Sequence, residues 1–225
     1  WIRLTYQQAA HQIRTLSAHL LTRNLGAERP LVVLSGASIA HALLALAAMD
    51  VGIPFAAVTP AYAQFATGHA NLNHILQLLT PGLVFVEDAS RFSDAVCNVV
   101  APDIEVVART GVAGTRYLVP FDQLLNPVSS IASLTRAARV GPDDIAKFLF
   151  TSGSTGLPKA VIITNRMWCA NQAMFAASMP FMREVPPVFV DWLPWHHTSG
   201  GNQTLGMTLF LGGSLYIDDG KPTRE

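Results

Sequence analysis

The sequence predicts an α/β fold in which a largely parallel sheet is covered by helices. Short apolar runs, typical of buried strands, alternate along most of the chain with longer stretches in which apolar residues recur at helical spacing. Such repeated strand–helix units imply parallel strand pairing. Hydrophobic residues make up 50% of the 225 residues and charged residues only 13%, so the chain can bury a sizeable core.

The first helix is predicted to begin after Thr5, which forms a capping-box pattern with Gln8. The next follows Ser38 and ends before Gly52. Further helices are expected near residues 70–79, 92–100, 166–177 and 202–211. Strands are expected at residues 31–34, 54–58, 83–86, 105–108, 145–151, 160–164, 188–192 and 214–217. Residues 109–144 contain several prolines and are predicted to connect two sheets.

A loop rich in hydroxyls and glycines joins the strands predicted at residues 145–151 and 160–164. Its glycines allow backbone amides to approach an anion, its hydroxyls can donate to phosphate oxygens, and Lys159 adds positive charge. The loop lacks the spacing of a P-loop NTPase, because Pro158 precedes the lysine and a strand follows it. The predicted phosphate-binding residues are Thr151, Ser152, Gly153, Ser154, Thr155, Gly156 and Lys159.

A second unusual segment, residues 191–202, places two tryptophans, two histidines and two glycines at a predicted strand-to-helix turn. Turns of this kind often line functional sites. A zinc site would need three or four ligands, and the adjacent His196 and His197 are expected to point apart, so no metal site is predicted. His196 is expected to pack or to cap the helix.

Charge and hydropathy narrow the function classes. Fifteen basic and fifteen acidic residues give a formal net charge of zero without a dense basic run, which argues against a nucleic-acid partner. No apolar run is long enough to cross a membrane and no leader opens the chain, so a cytoplasmic protein is expected. Cys97 and Cys169 form no metal or disulfide motif and are predicted to be core thiols.

The loop resembles the phosphate-binding signature of the adenylate-forming (ANL) superfamily, which contains acyl-CoA synthetases, luciferases and peptide-synthetase adenylation domains. Residues 194–200, Pro-Trp-His-His-Thr-Ser-Gly, resemble a second segment of that superfamily. The resemblance implies that Lys159 and His197 take part in catalysis and that the loop binds ATP. It also implies an acid-binding pocket bordered by Trp195, His197, Thr198, Ser199 and Gly200.

The resemblance covers nearly the whole chain and is strongest to the feruloyl-CoA synthetases. Segments 51–55, 78–85, 146–150 and 212–222 carry it, and Ala160 replaces the glycine usual in the superfamily. It implies that an aromatic carboxylate such as ferulate attacks the α-phosphorus of MgATP, and that coenzyme A then displaces AMP from the acyl-adenylate. A ligase for another aryl or fatty acid would use the same chemistry.

The resemblance further implies that residues 1–225 are a partial N-terminal AMP-binding domain. The remaining adenine, ribose and metal-binding segments and the lysine of a C-terminal lid domain are expected beyond residue 225, so the chain alone is expected to be inactive. Two alternatives stay open. The Gly36-Ala37-Ser38 turn imitates a nucleophile elbow, which would make the protein an α/β-hydrolase, although Ser38 also fits a helix N-cap. The chain could also be a non-catalytic nucleotide-binding module.

Overall fold

A seven-stranded sheet organises most of the chain in the computed structural model, which describes residues 1–128, 135–137, 139–151 and 156–218. Its strands are β1 (Leu31–Val33), β2 (Phe55–Ala57), β3 (Leu83–Asp88), β4 (Glu105–Thr110), β5 (Val119–Pro120), β6 (Ile145–Thr151) and β7 (Lys159–Thr164). Their order is β5-β4-β3-β1-β2-β6-β7. All neighbouring pairs are parallel except β6 and β7, which form an antiparallel hairpin.

Eight α-helices that lie wholly within the described residues accompany the sheet, and three of them begin at a residue whose side chain caps the helix, namely Thr5, Ser38 and Thr164. The eight are α1 (Tyr6–Leu21), α2 (Ile39–Asp50), α3 (Ala61–Gln64), α4 (His69–Leu79), α5 (Ser93–Asn98), α6 (Asn165–Ser178), α7 (Phe181–Glu184) and α8 (Leu205–Leu211). The predicted capping box is present, because Thr5 accepts from the amide of Gln8 and the Gln8 side chain accepts from the amide of Thr5. Ser38 likewise accepts from the amide of His41 at the start of α2.

Both faces of the sheet are buried at the parallel strands β1 and β2, as predicted, whereas the antiparallel edge strand β7 is largely exposed. Leu31 and Val33 of β1 pack in one core cluster with residues of α1 and α2. Val32, which points to the opposite face, packs in a second cluster with residues of α4 and α5. The alternation of side chains along β1 therefore divides the core between two helical layers, which confirms the predicted α/β fold.

The expectation that residues 109–144 connect two sheets is wrong. β5 pairs with β4, and β6 then returns to the same sheet and pairs with β2 in parallel. One edge of β2 pairs with β1, and the N–H and C=O groups of its other edge need partners. Strand β6 provides these hydrogen-bond partners. A second sheet does exist but comes later. It consists of β8 (Val188–Asp191) and β9 (Ser214–Ile217), which pair in parallel.

Two further expectations are corrected by the structure. The helix expected over residues 202–211 begins as a π-helix, Ser199–Thr204, before it continues as α8. Cys97 and Cys169 are exposed rather than core thiols. The buried residues of α6 are instead Gln172 and Ala176, a polar and a small side chain. No helix in the described part of the chain is long and apolar enough to cross a membrane.

Candidate functional site

The β6–β7 hairpin positions the two ends of the predicted phosphate loop. Thr151, the last residue of β6, lies directly opposite Lys159, the first residue of β7, and both are exposed. Gly156 has a φ of 93°, a conformation that favours glycine, and it is also exposed. Ser152, Gly153, Ser154 and Thr155 lie outside the described residues. The hairpin thus presents a hydroxyl and an ammonium group side by side.

Helix α4 holds the end of the loop. The Nε2 atom of His74 lies 3.1 Å from the carbonyl oxygen of Pro158, the residue before Lys159. Pro158 is buried although both of its neighbours, Leu157 and Lys159, are exposed. Its missing N–H removes a donor that burial would leave without water, and its carbonyl oxygen lies within hydrogen-bonding distance of an imidazole nitrogen. No local pattern predicts this contact, because it joins two segments that are distant in the sequence.

The turn after β8 is built around a buried carboxylate. Asp191 accepts a hydrogen bond from the indole Nε1 of Trp195 at 2.9 Å and one from the amide of Leu193 at 3.2 Å. Trp195 is 3% exposed, and its ring meets the ring of His41 edge-on at a centroid distance of 5.1 Å. The structure therefore places Trp195 beneath the turn, with its polar atom bonded to Asp191.

His196 and His197 do not point apart as expected. Their rings lie 4.6 Å apart, because the amide of His197 bonds to the carbonyl of Pro194 and closes a tight turn. Burial, with a smaller contribution from His197, lowers the pKa of His196 to about 4, so this ring is neutral at pH 7. His197 is exposed, whereas His196 is partly buried and packs as predicted. Among the described residues, no group of three His, Cys, Asp or Glu side chains could hold a metal ion.

Two glycines let the π-helix lie against this turn. A Cβ atom on Gly200 would lie 2.8 Å from the carbonyl oxygens of Leu193 and Pro194. A Cβ atom on Gly201 would collide with the carbonyl oxygen of Trp195. Only residues without a side chain fit here, since contacts under 3.0 Å to backbone atoms cannot be relieved by a rotamer change. Gly200, predicted from the motif to border the acid pocket, is buried in this packing.

Side chains from β6 and α6 bind carbonyl groups of the π-helix. Lys147 Nζ donates to Gly201 O at 3.0 Å, Gln172 Nε2 donates to Asn202 O at 2.8 Å, and Trp168 Nε1 donates to the same oxygen at 3.2 Å. Burial lowers the pKa of Lys147 to about 7. Sequence reasoning missed Lys147 as a functional candidate. Its signal was a single lysine inside the apolar strand β6.

A cavity of about 310 Å³ lies between β7, α6 and the π-helix. It is lined by Ile163, Met167, Asn171, Phe175, Thr198, Ser199, Asn202 and Gln203. The predicted acid-site residues Thr198 and Ser199 are therefore part of one cavity, which the strand that begins at Lys159 also borders. The side-chain Oδ1 of Asn202 is buried without a hydrogen-bond partner. A groove of about 430 Å³ lies elsewhere and contains none of the predicted residues.

Ser38 is arranged as a helix cap. Its hydroxyl accepts from the amide of His41 and donates to Glu87 Oε2 at 2.7 Å. The His41 ring is committed through Nδ1 to the carbonyl of Gly36 at 3.0 Å. The hydroxyl is thus engaged by a carboxylate and a backbone amide, which does not support the hydrolase alternative.

Sequence comparison decides the family, because residues 1–225 match the family described as AMP-binding enzyme. The chain belongs to this family. Proteins with solved structures share its fold. Apo MatB from Rhodopseudomonas palustris superposes with a TM-score of 0.75 and 20% identity over 96% of this chain and 40% of MatB. The adenylation domain of a keto acid-selecting NRPS module, bound to a keto acyl adenylate, superposes with a TM-score of 0.76 and 20% identity. The match covers 96% of this chain and 36% of the NRPS chain.

Among curated proteins, this member of the AMP-binding family is similar to the medium-chain-fatty-acid–[acyl-carrier-protein] ligase TtuA of Teredinibacter turnerae. The two are 41% identical over 76 residues, which is 34% of this chain and 12% of TtuA. The chain therefore spans less than half the length of each of these three proteins.

Proposed function

We propose that the chain is the N-terminal part of the adenylating domain of an ATP-dependent acid–CoA ligase. The observation that carries the proposal is the pairing of Thr151 with Lys159, which closes a glycine- and hydroxyl-rich loop within an AMP-binding enzyme. The exposed ammonium group of Lys159 and the left-handed backbone at Gly156 fit a loop that wraps a polyanion.

In the first half-reaction, a carboxylate oxygen of the acid attacks the α-phosphorus of ATP, and the bond to the bridging oxygen of pyrophosphate breaks. The loop would hold the triphosphate in line for this attack and balance the charge that develops on pyrophosphate. Lys159 serves as a fixed positive charge in this role and need not transfer a proton. Thr151 adds a hydroxyl donor from the opposite strand.

The acid would occupy the cavity between β7 and the π-helix, which Thr198 and Ser199 line, with His197 preceding them in the same turn. The exposed imidazole of His197 can donate a hydrogen bond to the carboxylate and change orientation when substrates bind. Trp195 packs beneath this turn, where its indole N–H donates to Asp191 and its ring contacts the ring of His41. We therefore expect Trp195 to shape the pocket through packing.

In the second half-reaction, the thiolate of coenzyme A attacks the acyl carbonyl, and AMP leaves with the electrons of the broken C–O bond. Mg²⁺ would arrive with ATP and neutralise phosphate charge. The part of the chain that the structure describes offers no carboxylate cluster for it, so we assign it no side-chain ligand here. Both cosubstrates are abundant in the cytoplasm, where we place the enzyme.

We propose a hydroxycinnamate such as ferulate as the acid. Asn171, Asn202 and Gln203 bring amide groups to a cavity whose remaining walls include Met167 and Phe175, which suits a ring that carries polar substituents. A fatty acid is the second candidate, because the similar protein TtuA is named a medium-chain-fatty-acid ligase.

The test is acid-dependent exchange of pyrophosphate into ATP by the complete enzyme, with ferulate, coumarate, benzoate and octanoate compared at equal concentration. Exchange with ferulate or coumarate supports the proposal, whereas exchange with octanoate alone selects the fatty-acid candidate. The absence of exchange with every acid would contradict both and favour a non-catalytic nucleotide-binding module. The 225-residue chain alone is expected to show no exchange.

A further inference from the structure

Lys147 is a buried lysine with no carboxylate among its hydrogen-bond or ion-pair contacts in the described residues. It is 2% exposed, and its Nζ atom bonds to the carbonyl oxygen of Gly201 at 3.0 Å. The ammonium group also lies 5.6 Å from the centre of the Phe55 ring and 5.2 Å from that of the Trp168 ring. Aromatic faces and a carbonyl dipole replace part of the hydration that burial removes.

Such an arrangement lowers the free energy of unfolding. Burying an ammonium group without a carboxylate disfavours the folded state, and a methionine of similar length would fill the same space at less cost. The low pKa of Lys147 reflects the same burial. A lysine at this position therefore calls for a role besides packing.

The position of Gly201 indicates what that role is. The carbonyl of Gly201 accepts from Lys147, while the amide of Gly201 donates to the carbonyl of His197 at 3.0 Å. The amide of His197 in turn donates to the carbonyl of Pro194. Lys147 thus bonds to Gly201, whose amide bonds to the backbone of His197. Lys147 lies on β6, the strand that ends at Thr151.

We propose that Lys147 is a positioning residue for the acid half of the site, which fixes through Gly201 the turn that presents His197, Thr198 and Ser199. The inference rests on the proposed function for its catalytic consequence. Because β6 also leads into the phosphate loop, Lys147 joins the ATP half of the site to the acid half through one side chain.

The test compares Lys147→Met with Leu149→Met in the complete enzyme. Leu149 is a buried residue two positions along β6 on the same face, so its substitution perturbs packing without removing a hydrogen bond. We expect Lys147→Met to raise KM for the acid about ten-fold and to leave KM for ATP within about two-fold. Leu149→Met should change neither constant by more than about two-fold.

Two further measurements separate positioning from a purely structural role. Lys147→Met should melt at the same or a higher temperature than the wild type at pH 6, because the buried charge is gone. Its Gly201 amide should nevertheless exchange with deuterium about ten-fold faster. A variant that is at least as stable as the wild type but has a higher KM for the acid supports the proposal. A variant with a lower melting temperature and an equal rise in KM for the acid and for ATP overturns it.

The deuterium exchange of the Gly201 amide also distinguishes failure of this inference from failure of the proposed function. If the complete enzyme adenylates no acid, the proposed function fails, and faster exchange at Gly201 in Lys147→Met would still support the contact described here. Unchanged exchange at Gly201 would overturn the inference whatever the activity, as would an unchanged KM for the acid in an active enzyme.

Discussion

The imidazole of His74 lies 3.1 Å from the carbonyl oxygen of Pro158, so helix α4 supports the residue that precedes Lys159. The contact joins an element on one face of the sheet to the end of the hairpin loop. In the proposed function this loop holds a triphosphate, and the anchor would keep it in place, since catalysis by positioning tolerates little displacement.

We predict that His74→Ala raises KM for ATP about ten-fold, because the anchor of the loop is lost while Lys159 itself remains. KM for the acid should change less than about two-fold. His11→Ala is the matched control, as His11 is an exposed histidine on α1. Steady-state exchange kinetics with each substrate varied measure both constants, and equal values for the His74 and His11 variants would contradict the prediction.

Lys159→Met is predicted to lower kcat for ATP–pyrophosphate exchange about a hundred-fold or more, because the substitution removes the positive charge at this end of the hairpin. Thermal stability should stay within about 1 kcal/mol of wild type, since the side chain is exposed. Arg183→Met, which removes an exposed cation on α7, serves as the control. Near-wild-type exchange by Lys159→Met would remove the loop from the proposed reaction.

The buried lysine predicts a pH dependence of stability. Burial lowers the pKa of Lys147 from 10.5 to about 7, so the unfolded state binds more protons than the folded state between these values. The free energy of unfolding should therefore rise with pH from 7 to 10.5, by up to about 1.4 kcal/mol per pH unit from this group. Below pH 7 the destabilisation is fully present.

Urea denaturation of wild type and Lys147→Met across this range isolates the contribution. The advantage of the variant should be largest at pH 6 to 7 and should shrink as the pH rises toward 10. His41 gives a separate rise between about pH 4 and 6.5, because burial, its largest influence, lowers its pKa to about 4. A constant difference between the two proteins at every pH would show that Lys147 is not buried as a cation.

Gly201→Ala is predicted to destabilise the fold by about 1–3 kcal/mol and to raise KM for the acid, because its Cβ would collide with the carbonyl oxygen of Trp195. Gly26→Ala is the control, since nothing lies within 4 Å of a Cβ there and its φ is not positive. Chemical denaturation and acid-dependent exchange measure the two effects. A Gly201 variant as stable as the Gly26 variant would mean that the turn can shift without loss.

The sequence was most informative where signals are local. Capping by Thr5 and Ser38, the buried strands β1 to β4 and the hairpin around the loop followed from neighbouring residues. The return of β6 to the edge of β2 could not be foreseen, because strand order depends on contacts between distant segments.

The same limit applies within the site. Thr198 and Ser199 could be named from a motif, but their cavity needs α6 and β7 beside them. The π-helix and the bond from Lys147 to Gly201 depend on tertiary packing that no local pattern encodes. The exposure of Cys97 shows a related failure, since residue type alone does not say which side of a short helix faces the core.

The parallel pairing of β2 with β6 has a consequence for how the protein folds. Phe55 and Lys147 are partners in the sheet, although strands β3, β4 and β5 all lie between them in the sequence. Closing so long a loop is slow, whereas β1 to β4 can assemble from nearer neighbours. We therefore expect the hairpin that carries Lys159 to join last during refolding and to open first in native-state hydrogen exchange, so that this edge can separate while the rest of the sheet stays folded.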